Sequence, residues 1–274
     1  MSRQPEISRG IVAFPVVTPT LPPATHTNVY VLGERSLLVV EPASPYDEEA
    51  TRLDEYLRRR VADGARVEAV VLTHHHVDHI GGVRAVADRF DVPVWAHAAT
   101  AERLPQNVMV DRALEDGDTL GDAWRVLHTP GHAPGHVCLR RESDGVMVVG
   151  DMVASVGTIL IDPVDGDMGL YLESLARMRV ESPSKMLPAH GTPIDDSDTR
   201  LSAYIAHRLA REAKVAASLE LFAHGVDVET LVETAYSDAD RSLWPVARLS
   251  LEAHLIKLAR DGRVVVRNSR WKLA

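Results

Sequence analysis

Residues 70–82 read Val70-Val71-Leu72-Thr73-His74-His75-His76-Val77-Asp78-His79-Ile80-Gly81-Gly82. The three apolar residues at the start are β-formers and mark the end of a strand. The glycine pair leads into Val83, Val86 and Phe90 at helical spacing. His74, His76, Asp78 and His79 thus fall where a strand opens into a helix, a place where side chains converge. Imidazole and carboxylate together suit zinc, manganese or iron, and so dense a group has no use in an apolar core, where unsatisfied polar groups are costly. In a tight turn His74 and His76 can face one ion. Asp78 and His79 can then face a second, at the separation of about 3.5–4 Å common to two-metal sites. His75 points away from that convergence and reads as packing.

Working outward, three more candidate ligands follow three more strands. Thr129-Pro130-Gly131-His132 comes after Trp124–Leu127, Gly150-Asp151 after Val146–Val149, and Pro188-Ala189-His190-Gly191 after Lys185–Leu187. Position, more than the count of histidines, argues for a single site. Of the 13 histidines, eight lie between His74 and His136. His136 reads as a hydrogen bond that fixes a ligand or its loop, and His26, His97, His128, His224 and His254 as ordinary surface or half-buried residues. Short strands at Asn28–Leu32, Ser36–Val40, Val67–Leu72, Val92–Trp95 and His136–Leu139 alternate with helices, the first opened by an expected capping box at Ser44-Pro45-Tyr46-Asp47. This mixture lacks a regular βαβ repeat and predicts an α/β sandwich of layers.

At Leu201 the pattern changes to a long helix with an expected apolar face of Tyr204, Ile205, Leu209, Val215, Leu219 and Phe222. Shorter helices, a Trp244-Pro245 step and a terminal hairpin with a turn at Asn268-Ser269 follow, the order of a winged-helix-like module. The 274 residues therefore divide into a first domain, 1–200, that carries the candidate ligands, and a second domain, 201–274. Their charge differs. The chain carries 30 basic and 39 acidic residues, a net of −9; residues 201–274 hold 11 basic and 9 acidic, a net of +2, leaving −11 for the rest. That excludes a tail-driven polyanion binder. A single cysteine, Cys138, rules out an internal disulfide, and neither a leader nor a bilayer-spanning run is legible, so the expected location is cytoplasmic. A homodimer is compatible with the sequence.

With all seven ligand positions filled, the chain resembles the metallo-β-lactamase fold superfamily over residues of roughly 15–200. The resemblance implies an αββα sandwich, with His74, His76 and His132 on a first metal, Asp78, His79 and His190 on a second, and Asp151 bridging them. Where the true lactamases place a cysteine, this chain has Asp151. The winged-helix-like tail extends the resemblance to the lactamase-like protein 2 group, whose members include an endoribonuclease acting on single-stranded RNA and fungal thioesterases. The expected activity is a two-metal hydrolase in which a hydroxide bridging the ions attacks a small thioester, ester or other acyl substrate. Asp78 serves it as both ligand and catalytic group. Zinc is the default metal, with manganese or iron also suited. Tyr204, His207 and Arg208 are expected substrate contacts, since a guanidinium suits planar oxyanions; Tyr204 and Arg208 read equally as an interdomain contact. Two other readings stand beside this one: an RNA nuclease using Arg241, Arg248, Lys257, Arg260, Arg263, Arg267, Arg270 and Lys272 as a basic track, and a non-catalytic metal-stabilised scaffold.

Overall fold

Unbroken apolar runs such as Val29–Leu32 and Leu37–Val40 dictate a sheet covered on both faces, and the computed structural model, which describes residues 6–121 and 123–274, shows one. The strands are β1 (Glu6–Ser8), β2 (Ile11–Val17), β3 (His26–Leu32), β4 (Ser36–Val40), β5 (Arg66–Val71), β6 (Val94–His97), β7 (Arg112–Leu114), β8 (Thr119–Leu120), β9 (Trp124–His128), β10 (Val137–Arg141), β11 (Val146–Gly150) and β12 (Lys185–Pro188). Among them run helices α1 (Asp47–Ala62), α2 (Val77–Ile80), α3 (Val83–Phe90) and α4 (Ala98–Ala101). Strands β1 to β7 form one sheet in chain order, and β8 to β12 form a second, also in chain order. The β4–β5 and β11–β12 pairs are parallel.

The period of two is visible in which cluster each residue joins. Leu37, Val39, Val70 and Leu72 turn toward Leu53 and Leu57 of α1 and Val83 and Val86 of α3. Leu38, Val40, Ala69 and Val71 turn the other way, onto Val126, Leu139, Val148 and Leu187 of the second sheet. This part of the molecule is therefore layered helix, sheet, sheet. The expected capping box does not form. Tyr46 is the N-cap of α1 and makes no side-chain cap bond, while Ser44 Oγ accepts from Tyr46 N at 3.2 Å in a local turn. The Gly81-Gly82 pair answers a steric need. A Cβ on Gly81 would lie 2.7 Å from the carbonyl oxygen of Ala43, and the amides of Gly81 and Gly82 donate to Ala43 and Pro42. The metal-loop helix is thus fastened to the segment that follows β4.

Packing cuts the chain at points other than the change of pattern at residue 201. One unit comprises residues up to Thr129, Gly135–Gly157 and Ser182–Ser197; the other comprises Pro130–Pro134, Thr158–Glu181 and Asp198–Ala274. The second holds α5 (Met168–Val180), α6 (Ser197–Leu219), α7 (Val228–Ala235), α8 (Trp244–Arg260) and a hairpin of β13 (Val264–Arg267) and β14 (Arg270–Leu273). Val215, Leu219, Leu231, Val232, Leu251, Leu255 and Val264 make its core. Asn268 and Ser269 both take positive φ, 49° and 60°, as a two-residue hairpin turn of primed type requires. The buried stripe of α6 runs through Leu201, Tyr204, Arg208, Glu212, Val215 and Leu219, whereas Leu209 is 49% exposed. Two charged residues therefore occupy the middle of a face whose expected members were apolar, because each finds partners there: Arg208 on a carbonyl, Glu212 on Lys257 at 2.9 Å and Arg263 at 3.0 Å.

His254, expected as a surface or half-buried residue, lies fully buried in α8, and neither ring nitrogen makes a hydrogen bond among the described residues. Burial first, then Arg208, Arg211 and Lys257, push its pKa from 6.5 down to about 3. The folded state refuses a proton that the unfolded chain accepts below pH 6.5. Stability linked to this group is complete above that value and is lost as pH falls toward 3, by as much as about 4 kcal/mol. Urea melts between pH 7 and 4 are expected to show this decline in the wild type and a shallower one in His254→Leu; identical slopes would contradict it.

Candidate metal centre

The parallel pairs bring the carboxyl ends of β4 and β5 from one sheet, and of β11 and β12 from the other, to one place, where the loops leaving them carry polar side chains. His74 comes from the loop after β5, His79 from the short helix α2 that this loop enters, Asp151 from the end of β11, and His190 from the end of β12. All are buried: His74 and His79 fully, Asp151 and His190 to 7% and 8% exposure. His79 Nε2 lies 3.6 Å from Asp78 Oδ1 and 3.6 Å from Asp151 Oδ2. His190 Nε2 lies 3.5 Å from Asp78 Oδ2 and 3.3 Å from Asp151 Oδ1. These separations are too long for good hydrogen bonds. They match the edge of a tetrahedron around an ion, since ligand atoms about 2.1 Å from zinc stand about 3.4 Å apart. His79 Nε2 is buried without a hydrogen-bond partner among the described residues, the mark of an atom shaped for a ligand.

What fixes the rings is a pattern at their other nitrogens. His190 Nδ1 donates to the carbonyl of His26 at 2.9 Å. Its loop is held by Asn28, whose side-chain amide donates to Pro188 and Gly191, and by the Tyr30 hydroxyl, which donates to Pro188 at 2.7 Å. Glu41 Oε1 lies 3.0 Å from His79 Nδ1 and 3.7 Å from His74 Nδ1. The Thr73 hydroxyl contacts both Glu41 and His74. A carbonyl or carboxylate on Nδ1 sets the tautomer and turns Nε2 toward the metal. His132 shows the same arrangement within the second unit, where its Nδ1 donates to the Leu160 carbonyl at 2.9 Å. Donor atoms of Asp78, His79 and His190 lie within 4.8 Å of one another, and those of Glu41, His74 and His79 form a second such group that shares His79, so histidine and carboxylate donors are clustered as a dinuclear centre requires.

The electrostatics agree. Burial opposes a charge on His79, yet Glu41 and Asp151 outweigh it and hold the imidazole well above its ordinary pKa. Burial likewise opposes His190, but Asp151 pushes it up to about 9. Burial would raise Asp151; the two imidazoles instead hold it well below the usual carboxylate range. Without metal, protons on the rings balance the buried carboxylate, and a divalent cation supplies the same charge.

Glu41 is the residue the sequence reading missed. Its signal was a lone acidic residue closing the apolar strand Ser36–Val40 and preceding a proline, with φ of +54° and a fully buried side chain in the structure. His136 does hold the loop: Thr129 Oγ1 is 2.9 Å from its Nδ1, and Asp151 N donates to its Nε2 at 3.2 Å. His75 is half-buried, edge-on to His76 with centroids 4.7 Å apart. His76 stands 4.6 Å from His74, ring to ring. The three expected substrate contacts are placed differently. Tyr204 is buried, with Arg200 5.3 Å over its ring. His207 is exposed. Arg208 is buried, its guanidinium donating to the Ile159 carbonyl and lying 5.4 Å over the Tyr171 ring, which is the placement of an interior donor.

Comparison with known proteins accords with this geometry. Residues 228–271 match the beta-lactamase associated winged helix domain. A Drosophila melanogaster protein named beta-lactamase-like protein 2 homolog is 27% identical over 260 residues, 89% of this chain and 85% of that one. An Aspergillus aculeatus protein named atrochrysone carboxyl ACP thioesterase AacuM is 28% identical over 257 residues, 88% and 78% of the two chains. In fold, a beta-lactamase domain protein from Burkholderia ambifaria superposes with a TM-score of 0.83 at 24% identity, covering 98% of this chain and 93% of its own. The chain is thus an α/β sandwich of that type with a C-terminal winged-helix-like domain, and the match of residues 22–190 to the metallo-beta-lactamase superfamily means that it belongs to that superfamily as a metal-dependent hydrolase.

Proposed function

We propose that this chain hydrolyses a thioester or a related small acyl compound at a dinuclear centre, residues 1–200 carrying the site and 201–274 the winged-helix-like module. The carrying observation is the cage of Asp78, His79, Asp151 and His190, with donor atoms 3.3–3.6 Å apart. In this reading Asp78, His79 and His190 would hold one ion and His74, His76 and His132 the other, and Asp151, whose carboxylate lies 3.3–3.6 Å from His190 and His79, would be shared between them. When bound, the ions bring the pKa of water toward neutrality and polarise the acyl oxygen. Zinc is the proposed metal; the same nitrogen and oxygen donors suit manganese or iron.

The chain's own residues supply position and charge. Asp78 directs one oxygen to His79 and the other to His190, so its carboxylate is held in place to accept a proton from the attacking water and aim its lone pair. Glu41 Oε1, 3.0 Å from His79 Nδ1, places a negative charge on the side of the ring away from Nε2 and favours the proton on Nδ1. The acyl class draws support from relatives whose names describe ACP thioesterases. It also draws support from the charges of the second module. Arg248 pairs with Glu252, Lys257 and Arg263 with Glu212, and Arg260 with Asp167, so much of the basic set is neutralised locally, whereas an RNA track needs it facing a phosphate backbone. The lactamase-like protein 2 group is the proposed subgroup and the cytoplasm the proposed location; no helix among the described residues is long and apolar enough to cross a membrane.

The test is a screen of acyl-CoA and acyl-carrier thioesters, simple esters, lactones and single-stranded RNA, with Asp78→Ala run in parallel. Thioester turnover is expected, with kcat in the variant reduced by about 100-fold or more. Turnover of RNA alone would replace the acyl reading, and unchanged turnover in Asp78→Ala would overturn the two-metal mechanism. Glu41→Gln keeps the shape but removes the charge beside His79. Its affinity for zinc, read by chelator competition, is expected to fall about 10- to 100-fold; wild-type affinity would show that Glu41 does not orient the ligand.

A further inference from the structure

The loop that carries His132 belongs to the second unit and is braced within it, and the brace ends on two arginines. His132 Nδ1 donates to the Leu160 carbonyl at 2.9 Å, so the direction of that carbonyl sets the direction of the imidazole. One peptide earlier, the Ile159 carbonyl receives the guanidinium of Arg208 from α6. With the Ile159 carbonyl pinned, only the two torsions of Leu160 remain to aim the next one. Arg208 is 3% exposed and reaches Ser250 Oγ of α8 at 3.5 Å.

The other side of the loop is held by the start of α5. Gly131 has φ of +133°, and a Cβ there would lie 2.2 Å from the amide nitrogen of Tyr171, so only glycine permits this approach. Asp167 N donates to the Gly131 carbonyl at 2.8 Å, and Ser174 Oγ donates to the Pro130 carbonyl at 2.7 Å. Asp167 caps α5 through Oδ1, accepting from Gly169 and Leu170, while Oδ2 takes the guanidinium of Arg260 from α8. Tyr171, packed on Gly131, is also the ring beneath Arg208. Both supports of the loop therefore terminate on C-terminal helices. A methionine at position 208 would fill the interior without burying a charge; it could not donate to Ile159.

We propose that Arg208, seconded by Arg260, is a positioning residue that aims His132 at the first metal ion, so that the C-terminal module sets the affinity of that ion. The proposal rests on the assignment of His132 to that ion made above. Metal-free full-length wild type, His132→Ala, Arg208→Met and Arg260→Ala are titrated with zinc against a chromophoric chelator, with thermal melts of the metal-free proteins in parallel. The wild type binds two equivalents. His132→Ala weakens one, and Arg208→Met weakens the same one by about 10- to 100-fold while the equivalent held by Asp78, His79 and His190 keeps its affinity. Arg260→Ala, at an exposed ion pair, melts as the wild type does and weakens that same equivalent to a smaller degree. If His132→Ala loses an equivalent while Arg208→Met and Arg260→Ala keep both, the positioning role is overturned and the ligand assignment stands. If His132→Ala binds both as the wild type does, the assignment itself falls. Should Arg208→Met not fold, Arg260→Ala decides alone: selective weakening supports the brace, and two unweakened equivalents overturn it.

Discussion

Two carboxylates, Glu41 and Asp151, lie on either side of the fully buried imidazole of His79, and the arrangement of this domain follows from keeping them there. Buried negative charge is tolerated only beside positive charge or hydrogen-bond donors. Here the carboxylates come from the turn after β4 and the end of β11, and the compensating imidazoles of His74, His79 and His190 come from the segment after β5 and the end of β12. The sheets must therefore stack so that the carboxyl ends of β5, β11 and β12 meet. The interleaved apolar residues of the two inner faces provide that stacking, and Gly81 and Gly82 let the metal loop close against Pro42–Pro45.

The same constraint orders the site from the outside inward. His26, Leu160 and Glu41 each set an oxygen against the Nδ1 of His190, His132 and His79 in turn, which leaves each Nε2 facing the other way. None of these anchors is itself chemically distinctive. A carbonyl of any residue would serve at positions 26 and 160, because what is used is backbone direction. The anchoring is thus built from fold geometry, which makes the ligand set sensitive to packing at some distance from it.

That distinction explains what was legible in the sequence. Ligand candidates could be read because metal binding demands particular residue types at strand ends, and His74, Asp78, His79, Asp151 and His190 left no other economical explanation. The layered fold followed from short strands mixed with helices and lacking a regular βαβ repeat. Glu41 was harder to see: an isolated acid before a proline resembles the polar end of any strand, and only its left-handed backbone and burial reveal its use. Arg208 read two ways for the converse reason. Its chemistry suits an anion, but a helix stripe shows only which residues share a face, not whether that face meets a ligand or a carbonyl. His254 and Glu212 were placed wrongly or overlooked on the same ground, since burial of a polar residue depends on partners that lie far away in sequence.

The reading of the second module changes accordingly. Its basic residues first suggested a surface for a polyanion, yet several are spent on ion pairs within the module, and two of them end on the supports of the His132 loop. The central claim remains the paired metal site. Anomalous diffraction at the zinc edge from crystals of the metal-loaded protein measures it directly. Two peaks about 3.5–4 Å apart are expected, one contacted by Asp78, His79 and His190 and both contacted by Asp151. A single peak, or peaks away from this cage, would contradict the account.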